Sequence, residues 1–196
     1  ATTEIYTLSL HDALPICPKK VMDMLDWVKQ HYSCDTTRVY VLGMSLGGYG
    51  TMDVCGTYPD RIAAGMALCG GCSLKDVSGL GKLPFWIIHG TADRAVPVKQ
   101  SKVVVDKLKR DGNDSRLIYD WWQGANHGMP ARVFYMKKTY QWLFSHTLND
   151  SDRPVNRDID ISMGDVRNAY DGVNRNAPKP ELIDGPSVIK NEGNEY

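Results

Sequence analysis

The stretch VYVLGMSLGGYG, residues 39–50, decides the fold class of this chain. Its first half is apolar and contains β-branched residues, which is typical of a buried strand, and its glycine-rich second half opens a helical pattern. Gly43, Ser45 and Gly47 form a Gly-x-Ser-x-Gly motif where the two patterns meet. In that context we expect the serine on a sharp, strained turn, exposed at the end of the strand.

The same turn predicts a nucleophile together with one oxyanion donor. Side chains at Gly43 and Gly47 are expected to collide with the neighbouring backbone, so we predict that glycine is required at both positions. Ser45 precedes the first turn of the helix, where unpaired N–H groups and the helix dipole favour developing negative charge. The backbone N–H of Leu46 is therefore the predicted oxyanion donor.

Two later loops supply the acid and the base that such a serine needs, in the order that this turn requires. The sequence HGTADRAVP, residues 89–97, follows an apolar run and places Asp93 just after a strand. The sequence GANHGMP, residues 124–130, places His127 just after the next strand. We therefore predict that Ser45 attacks a carbonyl carbon, that the histidine transfers the proton and that the aspartate fixes the imidazole tautomer.

The chain between residues 17 and 149 alternates helical and strand patterns. Apolar residues recur at spacings of three and four in the helical segments and form short continuous runs in the strands. Strands that alternate with helices predict an α/β fold with a mostly parallel sheet. The predicted helices are 18–32, one ending near 57, 98–110 and 132–145, and the predicted strands are 38–42, 64–68, 85–89 and 116–122.

Composition and charge exclude several classes of protein. The chain has 196 residues, of which 42% are hydrophobic, and 23 basic side chains balance 23 acidic ones. That balance gives no electrostatic case for nucleic acid as a partner, and no apolar run is long enough to cross a bilayer. The five cysteines are too few and too irregular for a disulfide scaffold and leave the compartment open. No metal and no organic cofactor is predicted.

Three segments of different character make up the chain. Residues 1–16 match, codon by codon, one translated frame of a common short-read sequencing adapter, so we interpret them as an adapter-derived artefact outside the fold. Residues 17–149 carry the alternating pattern. Residues 150–196 are rich in Asn, Asp, Pro and Gly and are predicted to be a polar linker or disordered tail, after which we expect a further module to have been lost. Only short pieces, such as 158–163, are expected to dock on the domain.

Together the three motifs resemble the α/β-hydrolase superfamily, and within it the esterase, dienelactone-hydrolase and prolyl-oligopeptidase-like group. The resemblance covers about residues 17–147 and rests on the Gly-x-Ser-x-Gly turn, on the His-Gly pair with the following acid and Val-Pro in residues 89–97, and on His127 with the glycine after it. It implies a serine hydrolase that cleaves small-molecule or polysaccharide-linked carboxylic esters through an acyl-enzyme. A peptidase with the same machinery is the alternative.

The chain departs from the superfamily pattern at its start. Members carry several strands, and the loop with the second oxyanion donor, ahead of the segment that here begins at Cys17. The chain therefore resembles the C-terminal part of a hydrolase, and a catalytically dead fragment is a further alternative. Loss of one oxyanion donor costs on the order of 2.7–4 kcal/mol of transition-state stabilisation.

Some residues near the motifs have two interpretations. Trp121, Trp122 and Met44 are candidates for lining the acyl pocket, with core packing as the alternative for the tryptophans. His89 ends a buried strand beside the predicted site, and we interpret it as structural rather than catalytic.

The remaining cysteines and histidines are expected to have no chemical role. Cys69 and Cys72 have the spacing of a redox dithiol or of half a zinc site, but no second pair accompanies them. We interpret them as a tight loop after a strand, with a disulfide or pocket lining as alternatives. His31 and His146 are expected on the surfaces of helices.

Overall fold

A sheet of parallel strands runs through the middle of the structure, a computed structural model that describes residues 17–171. Within that range the strands lie side by side in chain order: β1 (Tyr40–Met44), β2 (Ala64–Leu68), β3 (Phe85–Gly90) and β4 (Leu117–Trp122). Each pairs in parallel with the next, so the carboxyl ends of all four point to one edge.

Helices cover both faces of this sheet. The first face carries α1 (Pro18–His31), α2 (Leu46–Thr57) and α3 (Lys99–Arg110). The second face carries a 3₁₀ segment (Met129–Tyr135), α4 (Lys137–Phe144) and α5 (Met163–Asn168). Shorter 3₁₀ turns lie at Pro59–Arg61 and Ser78–Lys82.

The side chains of β3 alternate between the two faces of the sheet and make both faces apolar. Successive side chains of a strand point to opposite faces, so Phe85 and Ile87 join the first core cluster while Trp86 and Ile88 join the second. All four are at most 2% exposed. Strands buried on both faces are the rule in parallel sheets, because the connections place helices on the faces.

The predicted α/β class with a parallel sheet is confirmed. The strand over 64–68 has the predicted bounds, and the other three strands begin and end within two residues of the predicted positions. Among residues 17–171, no helix is both long and apolar enough to span a bilayer.

The closing helix predicted over 132–145 is not continuous. Met136 has an extended backbone (φ −98°, ψ 129°) and separates the 3₁₀ segment from α4. In an unbroken α-helix the carbonyl of Val133 would accept from the N–H four residues later. Here it accepts from the N–H of Met136 (3.1 Å) and from the hydroxyl of Thr139 (2.7 Å) instead. These two bonds replace the helical one, so the chain turns before α4 begins.

The segment expected to be a linker packs on the domain over residues 150–171. Val166 and Ala169 join the second core cluster, and the guanidinium of Arg153 donates to the carbonyls of Pro59, Ile62 and Ala63. The linker prediction therefore does not describe this part of the segment, where docking extends beyond the expected piece 158–163. The rest of that prediction, over 172–196, and the artefact predicted over 1–16 lie outside the described residues.

His146 is buried, which corrects its predicted surface position. The residue is 1% exposed, and its Nε2 accepts the backbone N–H of Asn156 at 2.9 Å. Its ring lies edge-on to Trp142, with the ring centres 4.7 Å apart. The docked segment covers this histidine, which no local pattern in α4 could indicate. His31 lies at the end of α1 and is partly exposed, as expected.

Candidate active site

The carboxyl ends of the four strands carry the residues of the candidate site. Ser45 follows β1, Cys69 follows β2, Asp93 lies in the loop after β3 and His127 lies in the loop after β4. Ligands and catalytic groups of open α/β sheets collect at this edge, because loops there can bring distant residues together.

Ser45 lies on a strained turn between β1 and α2. Its φ of 58° with ψ of −119° is a conformation that a residue with a side chain rarely adopts. The serine N–H donates to the carbonyl of Leu68 at 2.9 Å, which ties the turn to the end of β2. The first intrahelical bond joins the N–H of Tyr49 to the Ser45 carbonyl at 3.0 Å, so Leu46 lies in the helix turn whose N–H groups have no partner inside the helix.

The glycines that this turn requires are only partly those of the motif. A Cβ on Gly43 would lie 2.3 Å from the carbonyl oxygen of Gly47, so the first glycine is required as predicted. A Cβ on Gly47 would meet no atom within 4 Å, so the prediction of a collision there is wrong. The close contact lies one residue later, where a Cβ on Gly48 would be 2.6 Å from the Leu68 carbonyl oxygen and one on Gly70 would be 2.6 Å from the Gly48 carbonyl carbon.

Asp93 and His127 are directly hydrogen-bonded. Nδ1 of His127 lies 2.6 Å from Oδ2 of Asp93, whose side chain is fully buried, while the histidine side chain is 27% exposed. The other carboxylate oxygen accepts the backbone N–H groups of Ala95 and Val96, each at 2.9 Å. The acid is therefore fixed by its own loop, and the base keeps one side open to solvent.

The electrostatics of this pair keep the acid charged. Burial by itself raises the pKa of Asp93, but the hydrogen bonds from His127 and from the two loop N–H groups together outweigh burial and lower the pKa below its usual value. Asp93 is therefore a carboxylate at neutral pH, as an orienting acid needs to be.

His89 lies beside the pair but is fully buried. Its Nε2 donates to the carbonyl of Val96 at 2.9 Å, and its Nδ1 lies 2.8 Å from Oγ of Ser101. Burial lowers the pKa of His89, which favours the neutral ring. These contacts support the structural interpretation of this residue.

Cys69, for which the sequence left pocket lining as an alternative, is a neighbour of the pair. Its Sγ lies 3.7 Å from the backbone oxygen of His127, and its backbone has a φ of 47°, which is rare outside glycine. Burial raises the pKa of the Cys69 thiol to about 12. The thiol of Cys72 points elsewhere, toward Oδ1 of Asp53 at 3.3 Å. Both cysteines are free thiols, so they form no disulfide with each other.

An open cleft adjoins the pair. It has a volume of about 620 Å³, and most of its lining side chains are exposed: Ala92, Arg94, Ala95, Asn126, His127 and Gly128. A second cleft of about 570 Å³ lies between α4 and α5, far from these residues in the fold, and its charged groups Lys138 and Asp165 pair with each other at 2.8 Å. Of the two clefts, the first is the one that His127 lines.

The residues suggested for the acyl pocket pack elsewhere. Trp122 is 5% exposed and lies in the second core cluster, against which Met44 also packs. Trp121 packs on the first cluster beside Tyr119, under the ammonium group of Lys102. None of the three lines the cleft at His127, so core packing is the interpretation that fits the structure.

Comparisons with known proteins find relatives among esterases. The model of the prolyl oligopeptidase family matches residues 73–150. Acetylxylan esterase A of Emericella nidulans is 42% identical over 61 residues, which are 30% of this chain and 20% of that protein. Poly(3-hydroxyalkanoate) depolymerase C of Paucimonas lemoignei is 39% identical over 51 residues, 26% of this chain and 12% of that protein. The chain thus spans a fifth or less of these relatives.

A solved structure agrees with the architecture. The crystal structure of a thermostable esterase superposes with a TM-score of 0.60 at 28% sequence identity, and the match covers 66% of this chain and 36% of that one. The parallel sheet of this chain lies in chain order, is flanked by helices and carries a serine on the turn after a strand, as in α/β-hydrolases. The described residues form part of an α/β-hydrolase fold.

Proposed function

We propose that this chain carries the nucleophile, base and acid of a serine hydrolase that cleaves carboxylic esters. The observation that carries the proposal is the 2.6 Å hydrogen bond between Nδ1 of His127 and the buried carboxylate of Asp93, at the sheet edge where Ser45 occupies its strained turn. A nucleophile, a base and an acid that orients the base are the parts that acyl transfer by serine requires.

Each residue then has one role. Ser45 attacks the ester carbonyl, and Nε2 of His127 takes the hydroxyl proton and returns it to the leaving alcohol. Asp93 stabilises the imidazolium that forms, and the Leu46 N–H donates to the developing oxyanion. Water then enters through the open cleft and hydrolyses the acyl-enzyme with the same base.

The substrate class that we propose is an ester of a short acyl group, either free or attached to a polysaccharide. The names of the relatives, an acetylxylan esterase among them, support this class. The cleft supports it too, since its exposed lining leaves room for a polymer on either side of the scissile ester.

The second candidate is a peptidase that uses the same residues. The match of residues 73–150 to the prolyl oligopeptidase family favours it, because that region includes both Asp93 and His127. The fold and the triad serve ester and amide substrates alike, so they do not separate the two. The esterase and the peptidase are separated by comparing the substrates that the full-length protein turns over: p-nitrophenyl acetate, a feruloyl ester, acetylated xylan and proline-containing peptides. Peptide turnover without ester turnover would reverse our order.

The nucleophile is tested by labelling with a fluorophosphonate probe, which reacts only with an activated serine. We expect labelling of the wild type, none of Ser45→Ala and unchanged labelling of Ser115→Ala, which removes an exposed serine at the opposite edge of the sheet. His127→Ala is expected to lower ester turnover by at least about 10³-fold. Folded wild-type protein that takes no label would contradict the proposal, as would near-full activity in His127→Ala.

A further inference from the structure

We propose that Cys69, Asp93 and His127 form a binding site for a thiophilic divalent cation such as Zn²⁺ or Cd²⁺, and that an ion bound there inhibits the hydrolase. One ligand atom from each residue lies within 4.8 Å of the others: the thiol sulfur, a carboxylate oxygen and a ring nitrogen. The metal site does not depend on the proposed function, whereas the inhibition rests on it.

A tetrahedral ion fits among these atoms once one hydrogen bond between them opens. Zinc takes sulfur at about 2.3 Å and nitrogen or oxygen at about 2.0–2.2 Å, so ligands around one ion lie roughly 3.3–3.8 Å apart. The 2.6 Å between Nδ1 of His127 and Oδ2 of Asp93 is shorter than that, so the ion must open this hydrogen bond by roughly 1 Å. The imidazole side can move, since His127 is 27% exposed and lines the cleft.

The donor set favours soft ions over hard ones. A thiolate together with an imidazole selects zinc and its heavier relatives, while magnesium and calcium prefer oxygen ligands alone. Asp93 contributes a full negative charge, because its pKa is lowered below the usual value. The cleft reaches His127, which is the partly exposed member of the three residues.

Binding displaces one proton per ion. The Cys69 thiol has a pKa raised to about 12 and is protonated at neutral pH, so its proton goes to solvent as the metal–sulfur bond forms. When Nδ1 of His127 takes the ion, the ring carries its hydrogen on Nε2.

That tautomer change explains the inhibition. The base must accept the Ser45 proton on Nε2, and a ring that carries its hydrogen there cannot accept it. The carboxylate of Asp93 is at the same time turned toward the cation and no longer stabilises an imidazolium. An ion at this site therefore removes the base and its orienting acid together, without touching the nucleophile.

Cadmium binding tests the site directly, through the ultraviolet charge-transfer absorption of a cadmium–thiolate bond. The starting protein is Cys17→Ser/Cys34→Ser, which lacks the exposed thiols. In this background we expect one tight cadmium site, and Cys69→Ser should weaken it by at least about 100-fold. Cys72→Ser is the matched control and should leave binding unchanged, since its thiol faces Asp53 instead.

His127→Gln keeps the thiol and should weaken cadmium binding by at least about tenfold. This variant tests the site independently if Cys69→Ser fails to fold. The site would be overturned by cadmium binding that persists in Cys69→Ser, that is lost in Cys72→Ser or that is unchanged in His127→Gln. Cadmium binding with full ester turnover would overturn the inhibition. A protein that binds cadmium as expected but neither labels with fluorophosphonate nor turns over esters would contradict the proposed function and leave the metal site standing.

Discussion

Alanine at Gly43 and alanine at Gly47 should change stability in opposite directions, although the two glycines belong to one motif. A Cβ on Gly43 would lie 2.3 Å from the Gly47 oxygen and 2.5 Å from the Gly47 carbonyl carbon, where ordinary contact begins at 3.4 Å. The obstacle is the backbone of the first turn of α2, which has no rotamer to change. The strand and the helix must therefore separate by about 1 Å.

The cost follows from what that separation disturbs. Over-packed sites in well-packed cores lose about 1–3 kcal/mol, and we expect the upper end because α2 also holds Gly48 against the Leu68 carbonyl. A loss of about 3 kcal/mol lowers Tm by about 6–12 °C in a chain of this size. Gly47→Ala meets no atom within 4 Å and lies in a helix, so it should stabilise by up to about 1 kcal/mol.

Urea unfolding measures both effects, followed by the fluorescence of the five tryptophans. Linear extrapolation gives the free energy of unfolding of each variant against wild type, and equal m-values show that the unfolded states are comparable. A Gly43→Ala variant within about 0.5 kcal/mol of wild type, a spread typical of harmless surface changes, would refute the steric reasoning. Equal losses at the two positions would refute the distinction between them.

Three further predictions concern regions away from the turn. Burial lowers the pKa of His146, so the unfolded chain binds a proton that the folded chain does not. The free energy of unfolding should therefore fall as the pH drops below about 6.5. His146→Gln should make it depend less on pH, which urea unfolding at two pH values measures. A wild-type stability that rises on acidification over this range would contradict it. Val166→Ala should cost about 2 kcal/mol of unfolding free energy, because α5 packs on the core; no loss would mean that the segment is not docked. Burial raises the pKa of Asp120, whose carboxylate accepts a hydrogen bond from Nε1 of Trp86. Asp120→Asn keeps an acceptor and should leave the stability at pH 7 unchanged or raise it in thermal unfolding. A large loss of stability would contradict an unfavourable buried charge at this position.

Each member of the candidate triad follows the end of a strand, which makes it recognisable from the sequence. A strand is recognised by its apolar run, and the residue that follows it must lie at the carboxyl edge of a parallel sheet. Asp93 and His127 were therefore placed at one edge from local patterns alone, and the structure brings them within hydrogen-bonding distance. Their catalytic roles remain predictions.

What the sequence could not supply are contacts that join distant segments. Gly48 is required by a carbonyl of β2 and by the loop after it, and nothing in the motif points to that partner. The tail over 150–171 docks through isolated apolar residues that form no run, so composition indicated a linker. The tryptophans at the end of β4 were assigned to a pocket by proximity to His127 in sequence, but alternation along the strand sends them to the two cores.

The two histidines beside Asp93 differ in burial, and this difference supports the proposal that His127 is the base. His89 is fully buried, both of its nitrogens have partners, and its lowered pKa opposes taking up a proton. His127 reaches the same carboxylate at 2.6 Å, against 3.3 Å for His89, and stays partly exposed. In the proposed mechanism the exposed ring of His127, which lies against the buried carboxylate, is therefore the one that takes the proton of Ser45. Asp93, kept charged by the hydrogen bonds from His127 and from two loop N–H groups, thus pairs closely with the exposed histidine and more distantly with the buried one.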